Sequence, residues 1–383
     1  MSQVSALVSP QIFDGENWHT EAAIVIEEGV VRDIVPRNFL TASMRVQEVK
    51  GGFLAPGFVD LQVNGGGGVL LNNDPSVAGI RAICTAHARF GTTALLPTLI
   101  TDTPATCARA IAAGVEAVQQ RVPGFAGLHL EGPHISSARK GAHDASLIRL
   151  MDDEDLATLI AAREVLPALV TTVAPESVTP EQVRALVDAG VKVSIGHSDA
   201  GMEKVLELVQ AGASMITHLF NAMSQMTGRA PGMVGTALSC GELNVGLIAD
   251  GFHVHPTSMA LAVRAKDGPG NIFLISDAMS SVGTDVTELV LNGRKVKREH
   301  GRLTLEDGTL AGADLDMTTA VRVIHERSGV DLREALRMAS LYPAQSMGWT
   351  KSGRIGSGCP ADIVCLSDSL EPNGSWIGGV STH

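Results

Sequence analysis

From residue 57 to residue 327 the chain alternates short apolar runs with longer amphipathic stretches. That order restricts the fold more than any other feature. Parallel strands need long crossover connections, and intervening helices supply them. The runs predict strands at 57–63, 94–98, 127–130, 169–174, 191–196, 215–218, 245–249 and 272–276. The stretches between and after them predict helices at 76–90, 104–120, 153–162, 180–189, 201–211, 256–266 and 317–327. Pro104, Pro180 and Pro256 suit first-turn positions, where proline's missing N–H is not needed. The count fits an α/β fold of the (β/α)8 barrel type. A doubly wound open sheet is the alternative, but no GxGxxG follows the first strand.

The two ends of the chain read differently. Residues 23–27 and 30–34 flank the turn-forming pair Glu28-Gly29, and 43–49 adds a further strand. Near the other end, 362–366 reads as a strand that can join them. We therefore expect a small β-sandwich domain from residues 1–55 and 353–383, and a barrel over 56–352.

Composition narrows the function. Of the 383 residues, 45% are hydrophobic and 18% charged, as in a globular protein. The net charge of −12 disfavours nucleic acid, which needs a basic surface. It leaves room for a small anion held locally. No apolar run is long enough to cross a bilayer, and residues 1–10 lack a secretory pattern. A cytoplasmic protein with no membrane partner is the expectation. The five cysteines, Cys84, Cys107, Cys240, Cys359 and Cys365, form no CxxC pair. Buried thiols are expected, with neither a disulfide framework nor a thiolate metal site.

Four residues just past predicted strands can bind metal or carry protons: Glu131, His197, His218 and Asp277. In a barrel the strand ends converge, so residues distant in sequence can share one ion. A carboxylate with two histidines is also a catalytic zinc ligand set that leaves one position open. Each residue has a plainer reading. Glu131 suits an ion pair, either histidine a satisfied structural role, and Asp277 a helix N-cap.

The segment Pro56-Gly57-Phe58-Val59-Asp60 on the first predicted strand resembles the amidohydrolase superfamily. Many members continue with a His-x-His pair that binds a second metal. Here Gln62 and Asn64 take those places, and amides are weak zinc ligands beside imidazole. Further motifs follow in order. They are His129-Leu130-Glu131-Gly132-Pro133-His134, Lys140-Gly141-Ala142-His143, Gly196-His197-Ser198, Thr217-His218-Leu219-Phe220-Asn221-Ala222-Met223, Asp250-Gly251-Phe252-His253 and Leu310-Ala311-Gly312. Together they resemble the N-acetylglucosamine-6-phosphate deacetylase family, over nearly the whole chain. Two details depart from its pattern. Ala313 stands where a serine is expected, and His255 adds an imidazole near His253.

The resemblance implies metal-dependent hydrolysis of the N-acetyl group of N-acetylglucosamine 6-phosphate. It implies one divalent ion per subunit on Glu131, His197 and His218. Zinc is favoured, with iron, manganese or cobalt as other occupants. Asp277 is implied as the proton carrier and His143 as the contact to the amide carbonyl. Gln62, Asn64, Ala142, Asn221, Ala222, Arg229, His253, Ala311 and Gly312 are implied around the substrate. Arg229 would come from a neighbouring subunit, which implies a homodimer. Three other readings stand beside this one: N-acetylgalactosamine 6-phosphate as substrate, a cyclic-amide hydrolase, and a barrel that has lost catalysis.

Overall fold

The computed structural model describes residues 4–49, 51–291 and 293–382. Its centre is a sheet of eight parallel strands in sequence order. They are Phe58–Val63, Thr92–Ile100, Leu128–Glu131, Leu169–Val173, Lys192–Ile195, Met215–Ile216, Asn244–Ile248 and Ile272–Ile275. The barrel expectation therefore holds, with each strand within a few residues of its predicted place. Several strands are buried along their whole length, as expected of a parallel sheet covered by helices.

Local chemistry sets the helix starts. Thr103 caps Pro104–Gln119 by accepting the Thr106 N–H. Thr179 and Gln182 form a reciprocal capping box on Pro180–Asp188. His255, unexplained by sequence, caps Pro256–Ala265 by accepting the Thr257 N–H at 3.2 Å.

Some elements escaped the sequence reading. Helix Gly232–Ser239 is buried on nearly every side, so it carries no amphipathic period. Helices Leu332–Ala339 and Leu341–Ser346 follow the last predicted one. Strand Ser5–Phe13 pairs with Trp18–Glu27 at the start of the chain. A three-stranded antiparallel sheet, Glu288–Leu291, Arg294–Glu299 and Arg302–Thr304, is inserted after the eighth barrel strand.

The terminal segments form a separate eight-stranded sheet. It forks at Ser5–Phe13, which pairs in parallel with both Arg45–Glu48 and Phe53–Pro56. Ile363–Leu366 joins it antiparallel to Phe53–Pro56, so both ends of the chain share this unit. Its apolar core collects Ile12, Ile24, Leu54, Ile363 and Trp376.

The barrel closes by a different device where its first and eighth strands meet. In place of a regular ladder, the Asp277 N–H donates to the Gln62 carbonyl at 2.9 Å. The Asp60 carboxylate accepts the backbone N–H groups of Ser276 (3.2 Å) and Gln62 (3.3 Å) with Oδ1. Among the described residues, its Oδ2 is buried without a hydrogen-bond partner. Burial pushes the Asp60 pKa from 3.8 up to about 7. The folded state thus holds this proton where the unfolded state has released it. Stability falls as pH rises between about 4 and 7, then levels. At about 1.4 kcal/mol per pH unit, about 3 kcal/mol is lost between pH 5 and pH 8. Asp60→Asn keeps the Oδ1 acceptor and removes the charge. It should gain several degrees of Tm over the parent at pH 8 and much less at pH 5. Equal shifts at both pH values would show that Asp60 is ionised throughout.

Candidate active site

The four residues singled out at strand ends meet at the C-terminal rim of the barrel, where barrel enzymes hold their chemistry. Glu131 is the last residue of its strand. His197, His218 and Asp277 each lie two residues past theirs. Those three have φ values of 48°, 28° and 49°. Such left-handed backbone costs a non-glycine residue about 1–3 kcal/mol, and it turns each side chain inward over the barrel mouth. Asp277 opens no helix, so its N-cap reading is set aside.

Three donor atoms form a tight triangle. His218 Nε2 lies 3.0 Å from His197 Nε2 and 3.2 Å from Glu131 Oε1. His197 Nε2 lies 3.3 Å from the same oxygen. Donors bound tetrahedrally to zinc at about 2.0–2.1 Å lie about 3.3–3.4 Å apart, so these edges suit one ion. The tautomer agrees. His197 Nδ1 is 2.8 Å from the Arg139 carbonyl, which only accepts, so the proton sits on Nδ1. The Nε2 lone pair then faces the triangle. Two imidazole nitrogens and a carboxylate oxygen this close repel unless a proton or cation lies among them. His143 is a further neighbour, with donor atoms of Glu131, His143 and His197 all within 4.8 Å of one another. Its Nε2 is 3.8 Å from Glu131 Oε2, outside the tight triangle.

Burial and charge pull the site's groups apart. Burial raises the Glu131 pKa, but the His197 and His218 imidazoles against it outweigh burial and hold the carboxyl well below its ordinary range. Asp277 is pushed up, by burial first and then by the Glu131 charge. Burial, with His197 nearby, pushes the His143 pKa down to about 3, so its ring is neutral. Two buried carboxylates thus sit in one site with opposite shifts, an arrangement typical of acid–base chemistry.

The two amides that stand at the His-x-His places tie these carboxylates together. Gln62 Nε2 donates to Glu131 Oε1 at 3.0 Å and to Asp277 Oδ1 at 3.2 Å. Asn64 Nδ2 donates to Asp277 Oδ1 at 2.7 Å. One NH2 group bridging two carboxylates is a role that a histidine ring cannot copy from the same place.

Above the triangle opens a cleft of about 400 Å³. Asn64, Ala142, His143, Asn221, Ala222, His253 and Gly312 line it, together with Glu131, His197, His218 and Asp277. Gly312 has φ +61°, and a Cβ there would meet Met279 Sδ at 2.7 Å. Three residues expected around a substrate do not line this cleft. The Gln62 side chain lies below the cleft, occupied by its two carboxylates. Ala311 is fully buried behind the cleft, and its N–H bonds the Leu303 carbonyl. Arg229 is exposed on the loop before helix Gly232–Ser239 and does not reach this chain's cleft. Ala313 acts through its backbone. Its N–H donates to the Asp277 carbonyl at 2.9 Å and its carbonyl accepts the Met279 N–H at 3.1 Å.

Supporting residues were missed. Thr101 Oγ1 lies 2.7 Å from His143 Nδ1. Asp250 Oδ2 holds His253 Nδ1 at 2.6 Å. Thr101 follows a predicted strand and Asp250 sits in a quoted motif, so both were in view. Nothing in their spacing shows which histidine each holds. All five cysteines are free, and none lines the cleft.

An α/β barrel with a buried carboxylate–imidazole cluster at its C-terminal rim is the framework of a metal-assisted hydrolase. The chain belongs to the amidohydrolase family, whose model matches residues 53–381. It is 41% identical to an N-acetylgalactosamine-6-phosphate deacetylase of Shewanella sp., over 95% of this chain and 92% of that one. It is 35% identical to the human N-acetylglucosamine-6-phosphate deacetylase, over 86% and 83% respectively. The solved N-acetylglucosamine-6-phosphate deacetylase of Pasteurella multocida superposes with a TM-score of 0.95 at 31% identity, covering 99% of both chains.

Proposed function

We propose that this protein hydrolyses the N-acetyl group of N-acetylglucosamine 6-phosphate, releasing acetate and glucosamine 6-phosphate. The observation that carries the reading is the Glu131–His197–His218 triangle beside the upshifted Asp277, in a chain related to enzymes of that name. A divalent ion on the triangle, zinc by its donor set, would supply Lewis acidity and make water acidic enough to attack near neutral pH.

The chain's own groups then have distinct tasks. Asp277 takes a proton from the attacking water and returns it to the departing nitrogen. Among the described residues, both side-chain hydrogen bonds to its carboxylate fall on Oδ1, which leaves Oδ2 for the reaction. His143 stabilises the developing oxyanion. The Thr101 hydroxyl has one proton, and its 2.7 Å contact to His143 Nδ1 is far shorter than its 3.5 Å contact to the Glu131 carbonyl. Donation of that proton to Nδ1 would leave the neutral ring's own proton on Nε2, the tautomer that an oxyanion contact requires. Asn221, Ala222 and His253 lie where sugar and phosphate would be held. The exposed Arg229 suits a phosphate contact across a homodimer, on the family pattern. The absence of a membrane-spanning helix among the described residues is compatible with a cytoplasmic setting. We propose domain boundaries near residues 55/56 and 352/353.

A second reading, N-acetylgalactosamine 6-phosphate as substrate, is favoured by the name of the Shewanella relative. One panel tests both. Acetate release should be at least tenfold faster from 6-phosphorylated N-acetylhexosamines than from the free sugars. Equal rates would remove the phosphate from the reading. The ratio of gluco to galacto turnover then decides between the epimers.

A further inference from the structure

The cleft has an apolar wall for which the hydrolytic chemistry has no use. Ile100, Met279 and Leu291 line it, and all three belong to a small core distinct from that of the barrel. Each is linked to the reacting groups along the chain or through intervening residues. Ile100 precedes Thr101, which holds His143. Met279 lies two residues past Asp277, and Ala313 ties the two backbones together. Leu291 comes from the inserted strand Glu288–Leu291, whose neighbour Arg294 donates to the carbonyl of Ala142, next to His143.

Anchoring the inserted sheet does not explain this wall. Leu289, Val296 and Leu303 already bury the sheet against the barrel and do not line the cleft. Leu291 lies on the same strand face as Leu289, where burial alternates along the strand, yet it reaches the cleft. The proposed substrate class is polar throughout except for the methyl of its acyl group. That methyl is one bond from the carbonyl carbon, which must lie between His143 and Asp277. An apolar wall beside those two residues is where it fits.

We propose that Ile100, Met279 and Leu291 form the acyl subsite and that Leu291 sets the length of the acyl chain removed. The inference rests on the deacylase reading above. The three residues are 7%, 2% and 2% exposed, so the wall is already packed. An extra methylene must displace packed atoms. A pocket of this kind discriminates one methylene by about 10–200-fold.

The test uses the full chain, loaded with metal, on N-acetyl, N-propionyl and N-butyryl glucosamine 6-phosphate. The parent should lose about tenfold or more in kcat/KM per added methylene. Leu291→Ala should raise the butyryl-to-acetyl ratio about tenfold or more. Met279→Ala should move it in the same direction, and it keeps the test decisive if Leu291→Ala does not fold. Val290→Ala, on the exposed face of the same strand, should leave the ratio unchanged. An unmoved ratio in both wall variants, or an equal shift in Val290→Ala, overturns the subsite and leaves deacetylation standing. A parent inert on all three compounds overturns the deacylase reading, and the subsite with it.

Discussion

Asp277→Asn should lower kcat by about 10²–10⁴-fold, the usual contribution of a positioned acid–base group, with metal content unchanged. Asparagine keeps an oxygen for the Gln62 and Asn64 amides, which donate at 3.2 and 2.7 Å. The side chain is therefore held as before. What is lost is the capacity to accept a proton beside the nucleophile and to return it to the leaving nitrogen. Amide cleavage needs that second transfer because an amine leaves poorly as an anion. Burial and the Glu131 charge raise the Asp277 pKa, which makes the protonated form more accessible for that step. Steady-state kinetics with metal analysis on the same sample checks the expectation. Turnover within tenfold of the parent would move the proton-carrier role to another group.

His197→Ala should weaken metal binding by more than about 100-fold, beyond the 10–100-fold loss typical of residues that only support a ligand. Two of the three short edges of the donor triangle end on His197 Nε2. Without it, Glu131 and His218 offer an ion only two close ligands. The effect has a readout independent of activity. At a free metal concentration 100 times the parent's Kd, binding stabilises the fold by about 2.7 kcal/mol. Thermal melts with and without zinc should show that increment in the parent and little of it in His197→Ala. An unchanged increment would mean that Glu131, His143 and His218 hold the ion.

The barrel was readable because its strands are short apolar runs bounded by polar turns, a pattern that survives without knowledge of neighbours. Glu131, His197, His218 and Asp277 were readable for the same reason: each ends such a run. Helix Gly232–Ser239 was not, because burial on nearly every side erases the polar face that marks a helix. The inserted sheet was missed because its strands are short and partly polar, and only its packing on Leu70, Ile100 and Met279 gives it a core. Gln62 was noticed as a departure from a metal-binding pattern. That its amide bridges Glu131 and Asp277 depends on residues 69 and 215 positions away.

The amino-acid sequence by itself determined the alternation of strands and helices, the residue types at the strand ends, and the amides in place of a histidine pair. These are local properties, set by periodicity and by each residue's own chemistry. Only the tertiary structure decided that three donors meet within 3.3 Å. It also decided that Asp60 closes the barrel, that Thr101 lies against His143 Nδ1, and that Arg229 stands outside this chain's cleft. Those outcomes depend on distances between residues far apart in the chain, which barrel closure sets and spacing along the sequence does not encode.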